Sequence, residues 1–415
     1  MIERGDELTI GGVAPSDLIE DHGTPLFVYD AGVIETRYGA LVDAFERAGI
    51  DIDVRYAMKA NTNPTIVERL VDLGAGLDCA SRLEVNLAVS LVDPERVLYT
   101  APYNRGSELR HAVDQGVTIN LDGPYLLEHL EVLPRELCFR IDPGMGQGAH
   151  GLAFGGGETK FGINADDAID AYATAADRGV ESFGIHMMPG SGVLDPAYFE
   201  AVTAELLDIA DDIASTLDIT FSFIDLGGGL GIPYRPDDKP LDLDAVAGGV
   251  ADVFEEKLPD ASFGEPQVII EPGRYLVGES GVLLTSVTGV KQKGSKTFVG
   301  VDTGMHHLLR PMLLDAYHEI VHAERPAEDP TVTADVVGPV CSTVDTLGVD
   351  RSLPAVGTGE PLAIMDVGAY GYTMSSQFNT RLRPPEILTE AGEQRVIREG
   401  ERGGDLFRGT TYNPS

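Results

Sequence analysis

A chain of 415 residues with 43% hydrophobic content can bury a large core and should divide into two domains, which excludes a disordered chain. A formal net charge of −37 excludes a nucleic-acid partner, because phosphates would be repelled. No apolar stretch is long enough to cross a bilayer, and MIERGDELTI lacks a cationic region followed by an apolar one, so no membrane span and no signal peptide are expected.

In chain order, the opening ELTIGGV reads as a strand and LFVYD as the lead-in to an α/β region. From about Ile50 to Arg274, short apolar runs alternate with helical patterns. The runs are VRYAMKA (54–60), GLDCAS (76–81), VLYT (97–100), TINLD (118–122), CFRID (138–142), FGIHMM (183–188), FSFIDLGG (221–228) and QVIIEPG (267–273). Eight strands with crossover helices predict a (β/α)8 barrel; a doubly wound sheet is the competitor, since counting strands cannot close a barrel. After Arg274 the segments 281–292, 296–302, 331–340 and 361–370 are β-rich with Gly and Pro punctuation and read as a separate all-β domain. The expected division is 30–277 for the α/β barrel and 1–29 with 278–415 for the β-rich domain. Glu158 lies in GLAFGGGETKFGI, a segment long enough for a barrel loop to suggest function.

Acidic residues are scattered in pairs such as Asp166-Asp167 and Glu255-Glu256, and the chain has only seven lysines. This composition reads as adaptation to high salt, where screening removes self-repulsion; a merely acidic protein is the alternative. Cys79, Cys138 and Cys341 are too few and too dispersed for a disulfide framework or a zinc cluster, and fit a reducing cytoplasm. His306-His307 has no acidic partner at metal-binding spacing, so no metal is expected.

Chemistry in such barrels sits at the C-terminal ends of the strands. A scarce lysine, Lys59, ends the first run; desolvated there, it would lose its charge easily and act as a nucleophile or form a Schiff base. Asp78 and Ser81 end the second run and His186 the sixth. Gly227-Gly228-Gly229 follows the seventh and Glu271-Pro272-Gly273-Arg274 the eighth, where phosphate sites often form. Glycines let backbone N–H groups approach phosphate oxygens, and Arg274 can add a bidentate contact. A triple glycine alone is no more than a turn. Beside a strand-end lysine and the carboxylate of Glu271, it points to pyridoxal phosphate, with Glu271 keeping the pyridine nitrogen protonated. The competing reading of Glu271 is a rim salt bridge.

The motifs YAMKAN (56–61), LDCAS (77–81), PGSG (189–192), DLGGG (225–229), EPGRYLV (271–277), GPVCSTVD (338–345) and GAYGYTMSSQFN (368–379) resemble the fold-type III pyridoxal phosphate decarboxylases, the group of diaminopimelate, ornithine and arginine decarboxylases. MSSQFNTRLRPPEIL and RPMLLDAYHEI (310–320) are most similar to the diaminopimelate branch, LDCAS to the ornithine enzymes. The resemblance implies that Lys59 is the Schiff-base lysine, that Ser191, Gly228, Gly229 and Arg274 hold the phosphate, and that Glu271 faces the pyridine nitrogen. Asp78 and His186 join the cofactor site. Cys341 comes from the other subunit as proton donor to Cα, Tyr370 shares the site, and Arg274 and Arg310 meet substrate carboxylates. A homodimer with composite sites is implied, and the best-matching reaction is meso-diaminopimelate to L-lysine plus CO2. Decarboxylation of ornithine, arginine or a carboxylated polyamine or siderophore precursor, a racemase, and a non-catalytic cofactor-binding relative are the alternatives.

Three positions depart from the family pattern. Met188 replaces a histidine that stacks on the cofactor ring; methionine can pack on a ring but cannot carry charge. His186 faces the same side of an extended strand and can compensate, or is simply structural. Ser342 replaces an acidic residue that binds the distal amine of the substrate, and Leu314 replaces a tyrosine. Asp345 and Glu158 are the carboxylates that could take over the amine contact.

Overall fold

The computed structural model describes residues 2–5, 7–148, 159–188 and 190–411; Glu158 lies outside them. Two compact units are present. One comprises Tyr38–Ile232 and Lys239–Tyr275, the other Met1–Arg37, Pro233–Asp238 and Leu276–Ser415.

The first unit is a closed barrel of eight parallel strands: Ile52–Ala57, Gly76–Cys79, Val97–Thr100, Thr118–Leu121, Glu136–Asp142, Ser182–Met187, Phe221–Asp225 and Gln267–Ile270. Closure is explicit in the register. Ile119 pairs with Leu137 across the fourth and fifth strands, and Val268 with Ile52 across the eighth and first. An open doubly wound sheet would leave two edges; this ring leaves none.

The crossovers carry their own start signals. Asn63 caps helix Pro64–Asp72 by accepting from Thr65 N at 3.1 Å, with Pro64 at the first turn where its missing N–H costs nothing. Ile66, Val67 and Leu70 form the buried face of that helix. Asp195 and Asp242 cap helices Pro196–Leu217 and Leu243–Lys257 in the same way. Between the fourth and fifth strands the helix is replaced by a 3-10 turn, Pro124–His129.

Side chains alternate along a strand, so every second residue faces the barrel interior. Cys138, Phe223 and Ile269 form one buried apolar cluster, and Gly184 leaves room for the Phe223 ring, which a Cβ there would approach to 2.0 Å. Two residues further along the same strands come Arg140, His186, Asp225 and Glu271, all buried. An apolar tier thus supports a polar tier at the C-terminal mouth.

The second unit is a mainly β sheet in the order Thr346–Leu353, Val332–Val337, Lys296–Val301, Gly281–Lys293, Leu26–Asp30, Glu386–Glu390, Glu393–Arg398, with Ile320–His322 and Pro361–Ile364 attached beside Gly281–Lys293. LFVYD is not a lead-in. All five of its residues are buried, and it pairs antiparallel with Gly281–Leu284 and parallel with Glu386–Thr389. ELTIGGV contributes only Leu8–Thr9, paired with Glu3–Arg4. Leu8, Ile10, Leu18, Leu26, Val28, Val282, Leu284 and Ile387 form the core.

Candidate active site

The first barrel strand stops at Ala57, and Lys59 stands in a 3-10 turn, Met58–Ala60, just beyond it. Asn61 Oδ1 accepts from Asn63 N at 3.0 Å and Asn61 O accepts from Tyr56 Oη at 3.0 Å, which folds the chain back after the lysine. Gly273 lets the EPG segment pack on this turn, since a Cβ there would lie 3.1 Å from Ala60 Cβ and 3.2 Å from Ala57 Cβ.

Lys59 is not desolvated as the strand pattern predicts. The turn lifts it to the rim, its side chain is 40% exposed, and Nζ donates to Asp78 Oδ2 at 2.6 Å. Asp78 is the buried member of the pair. Burial, reinforced by the charge of Glu271 and opposed by Lys59, raises its pKa to about 7.

Across the mouth, His186 Nε2 lies 3.2 Å from Glu271 Oε2, both side chains buried. Burial lowers the His186 pKa, which favours a neutral imidazole donating from Nε2. Burial alone would raise Glu271, but His186, Lys59 and Arg140 more than reverse it and hold the group as a carboxylate. Asp225, which in DLGGG reads only as the start of a glycine loop, completes the cluster. Its Oδ1 accepts from Gly227 N at 2.8 Å, and burial together with Glu271 pushes its pKa well up. His186, Asp225 and Glu271 also bring ligand atoms within 4.8 Å of one another.

The glycine loop is required by close approach. A Cβ on Gly227 would sit 2.1 Å from Met187 O, one on Gly228 2.3 Å from Glu271 O, and one on Gly229 2.9 Å from Gly190 O; Gly227 and Gly229 also take φ of 69° and 97°. The chain through Gly190–Val193 runs alongside, with Val193 N donating to Gly229 O at 2.9 Å. Arg274 Nη2 donates to Ser191 Oγ at 3.2 Å, so Ser191, Gly228, Gly229 and Arg274 form one cradle. Gly228 N–H points at Met188 Sδ, 3.3 Å away.

Whether pyridoxal phosphate fits can be judged from the polar atoms left over. Among the described residues, Asp78 Oδ1, His186 Nδ1, Asp225 Oδ2 and Glu271 Oε1 are buried without a hydrogen-bond partner. So many orphaned groups in one barrel mouth call for a polar guest. Acceptors for a protonated ring nitrogen, an amine at Lys59 and a glycine-lined anion cradle match the three ends of that cofactor.

The remaining expected residues belong to the β-rich unit. Cys341 is exposed, and its N–H donates to Asn379 Oδ1 at 2.7 Å. Ser342 Oγ accepts from Val344 N at 3.4 Å. Asp345 does not offer a carboxylate to a ligand, because its oxygens accept from Met305 N at 2.6 Å and Val340 N at 2.9 Å and pack over Gly304 and Gly338. Arg310 is buried and opens the short helix Arg310–Leu314. It donates from Nη1 to His318 Nε2 at 2.7 Å and lies 4.5 Å over the Tyr234 ring; His318 Nδ1 meets Met365 O at 2.8 Å, which fixes its tautomer. Sequence alone does not single out His318 or Tyr234, because RPMLLDAYHEI assigns His318 no role and Tyr234 lies outside the motifs. Tyr370 takes a left-handed φ of 58°. His307 is bound to Thr303 and Leu382 O, and burial lowers it to about 4.

The family described as pyridoxal-dependent decarboxylase, pyridoxal binding domain, matches residues 32–278. A diaminopimelate decarboxylase of Methanothermobacter thermautotrophicus is 43% identical over 98% of this chain and 97% of its own length. The solved diaminopimelate decarboxylase of M. jannaschii with L-lysine superposes with a TM-score of 0.90 at 28% identity, covering 100% of this chain and 98% of that one. That of Helicobacter pylori with L-lysine gives 0.86 at 31% identity over 95% and 98%. A whole-length match of this kind, on a barrel whose mouth offers polar partners for the cofactor, makes the chain a member of the pyridoxal-dependent decarboxylase family, a carboxy-lyase that uses pyridoxal phosphate.

Proposed function

We propose that this enzyme converts meso-diaminopimelate to L-lysine and CO2. The observation that carries the reading is the meeting, at one barrel mouth, of Lys59 on Asp78 with a buried Glu271 whose Oε1 lacks a partner among the described residues. The choice of substrate rests on the diaminopimelate decarboxylases to which the chain is similar over its whole length.

Bound pyridoxal phosphate supplies an electron sink for the pair left at Cα when CO2 departs. Lys59 tethers the cofactor through its amine, with Asp78 orienting that amine. Glu271 holds a proton at the pyridine nitrogen, and His186 positions Glu271. Ser191, Gly228, Gly229 and Arg274 take the phosphate oxygens. Arg310 meets a substrate carboxylate, Tyr370 lines the site, and the Cys341 thiol of a second copy gives the proton to Cα. The working form is then a homodimer with two shared sites, a cytoplasmic enzyme suited to high salt, with the cofactor-binding barrel lying within 30–277.

A second reading, decarboxylation of a different amino acid, is favoured by Ser342 and Leu314, which leave the distal ammonium without the family's acidic contact. The test is CO2 release and product identification with meso-diaminopimelate, ornithine and arginine in molar KCl. Lysine formed from diaminopimelate, and abolished by Lys59→Ala, is the expected result; turnover of another substrate alone would select the second reading, and no turnover of any would select a non-catalytic relative.

A further inference from the structure

The β-rich unit contains a cavity of about 780 Å³ that the decarboxylase chemistry does not use. That volume is in the range of small-molecule sites. One wall is built around Tyr317. The guanidinium of Arg351 lies 3.8 Å from the ring centroid and that of Arg235 lies 4.8 Å from the same centroid. Gly348 makes this possible, since a Cβ there would come 2.3 Å from Arg351 Nε.

Stacking on a tyrosine stabilises each guanidinium but does not neutralise it. Two like charges sharing one ring repel. Burial lowers the Arg351 pKa, Tyr317 opposes this, the charge of Arg235 lowers it further, and the charge of Glu319, itself paired with Arg4, raises it. Among the described residues neither arginine has an ion pair, and Arg351 Nε is buried without a hydrogen-bond partner. In a chain of net charge −37, an unneutralised pair of cations on one cavity wall needs a reason. The same cavity is lined by Asp315 and Asp350, which also make no ion pair among the described residues. The lining therefore offers two unmatched cations and two unmatched anions, the complement of a small zwitterion.

We propose that this cavity binds a free amino acid, its carboxylate held by Arg235 and Arg351 and its ammonium by Asp315 or Asp350. Planar guanidiniums suit a carboxylate, which accepts paired N–H donors.

The test is isothermal titration of full-length protein at constant chloride with L-lysine, cadaverine and inorganic phosphate as probes. Lys59→Ala removes the covalent tether of the cofactor but leaves Arg310 and the phosphate cradle, so the site of binding is decided by the Arg235→Gln and Arg351→Gln variants. The expected result is L-lysine binding in wild type and Lys59→Ala, weakened at least tenfold by Arg351→Gln and by Arg235→Gln, with kcat unchanged in both arginine variants. Cadaverine, which lacks the carboxylate, should not bind Lys59→Ala. Phosphate binding as tightly as L-lysine would overturn the amino-acid assignment and leave a general oxyanion site. Unaltered L-lysine binding in both arginine variants would overturn the site itself, as would an Arg351→Gln protein that loses its dimer without losing L-lysine, since the arginines would then face a second chain.

Discussion

Glu271 shows how two oxygens of one side chain can have separate duties. Oε2 meets His186 at 3.2 Å, while Oε1 is buried without a partner among the described residues. Glu271→Gln keeps the shape but removes the charge, and is expected to lower kcat by about 10² or more with the cofactor still bound; the visible band of the bound cofactor and kcat are the measurements. Lys59 should carry the cofactor, so borohydride reduction should abolish that band and peptide mapping should find the pyridoxyl label on Lys59. Asp366, in the β-rich unit, gives a pH prediction independent of catalysis. Burial, with the charge of Glu279, raises its pKa from 3.8 to about 7. A carboxyl whose folded pKa lies above its unfolded value binds more protons when folded, so its contribution to stability falls as pH rises from about 4 to about 7 and is level above. Asp366→Asn tolerates the left-handed φ of 60° and cannot ionise. The Tm of the variant minus that of wild type should therefore grow across pH 4–7 and then stay constant. Lys59 and Glu271 were legible because each ends a strand run beside a scarce residue type or a turn. Asp225 was not, because nothing in DLGGG distinguishes a buried acid from the start of a loop.

At the scale of elements, the strand runs start within two residues of the barrel strands, and six of the eight extend past the strands' C-terminal ends. The run 221–228 becomes Phe221–Asp225, and 267–273 becomes Gln267–Ile270. Backbone bonds continue past both points, from Leu226 N to Ile269 O at 2.9 Å and from Glu271 N to Gly227 O at 2.8 Å, but Gly227 turns to a positive φ of 69° and takes the chain out of strand geometry. Gly227–Gly229 then run beside Gly190–Val193 and line the candidate phosphate cradle. Gly228→Ala places a methyl 2.3 Å from Glu271 O and must shift the loop. It is expected to cost about 1–3 kcal/mol of stability and to weaken cofactor retention at least tenfold, read by denaturant unfolding and by cofactor titration. In the β-rich unit, the loop after Cys341 holds Asp345 inward on backbone N–H groups, so it cannot substitute for the acid missing at Ser342. If diaminopimelate is the substrate and a carboxylate at this position is required, Ser342→Glu should lower its KM by about tenfold or more, the scale of one charge-assisted hydrogen bond. A KM that does not move would mean position 342 does not meet the distal ammonium.

For the whole molecule, a net charge of −37 makes ionic strength a structural variable. Self-repulsion is screened over about 10 Å at 0.1 M salt and about 3 Å at 1 M. Tm should rise strongly between low and molar KCl, and a flat response would leave an acidic protein without salt adaptation. The proposed sharing of Cys341 between subunits has its own measurement. Lys59→Ala and Cys341→Ala homodimers should each be inactive, and mixed under subunit exchange they should regain activity, because one site per heterodimer is intact. No recovery, with exchange demonstrated, would put both residues in one subunit's site.

The sequence by itself determined the order and number of the barrel strands and the presence of a separate β-rich domain, and it singled out a lysine, a glycine loop and a carboxylate as a candidate cofactor site. These are local signals, since apolar runs separated by helical patterns, Gly and Pro punctuation and a scarce lysine after an apolar run need no knowledge of distant neighbours. The tertiary structure decided barrel closure, which depends on Ile52–Ala57 meeting Gln267–Ile270 across more than two hundred residues. It also decided that LFVYD joins the β-rich sheet and that Lys59 rests on Asp78 instead of being desolvated. The buried tier of Asp225, His186 and Glu271 likewise appeared only once the strands were in register. Each of these is a pairing between residues far apart in the chain, and its energy depends on burial and on the charges opposite, which no single segment contains.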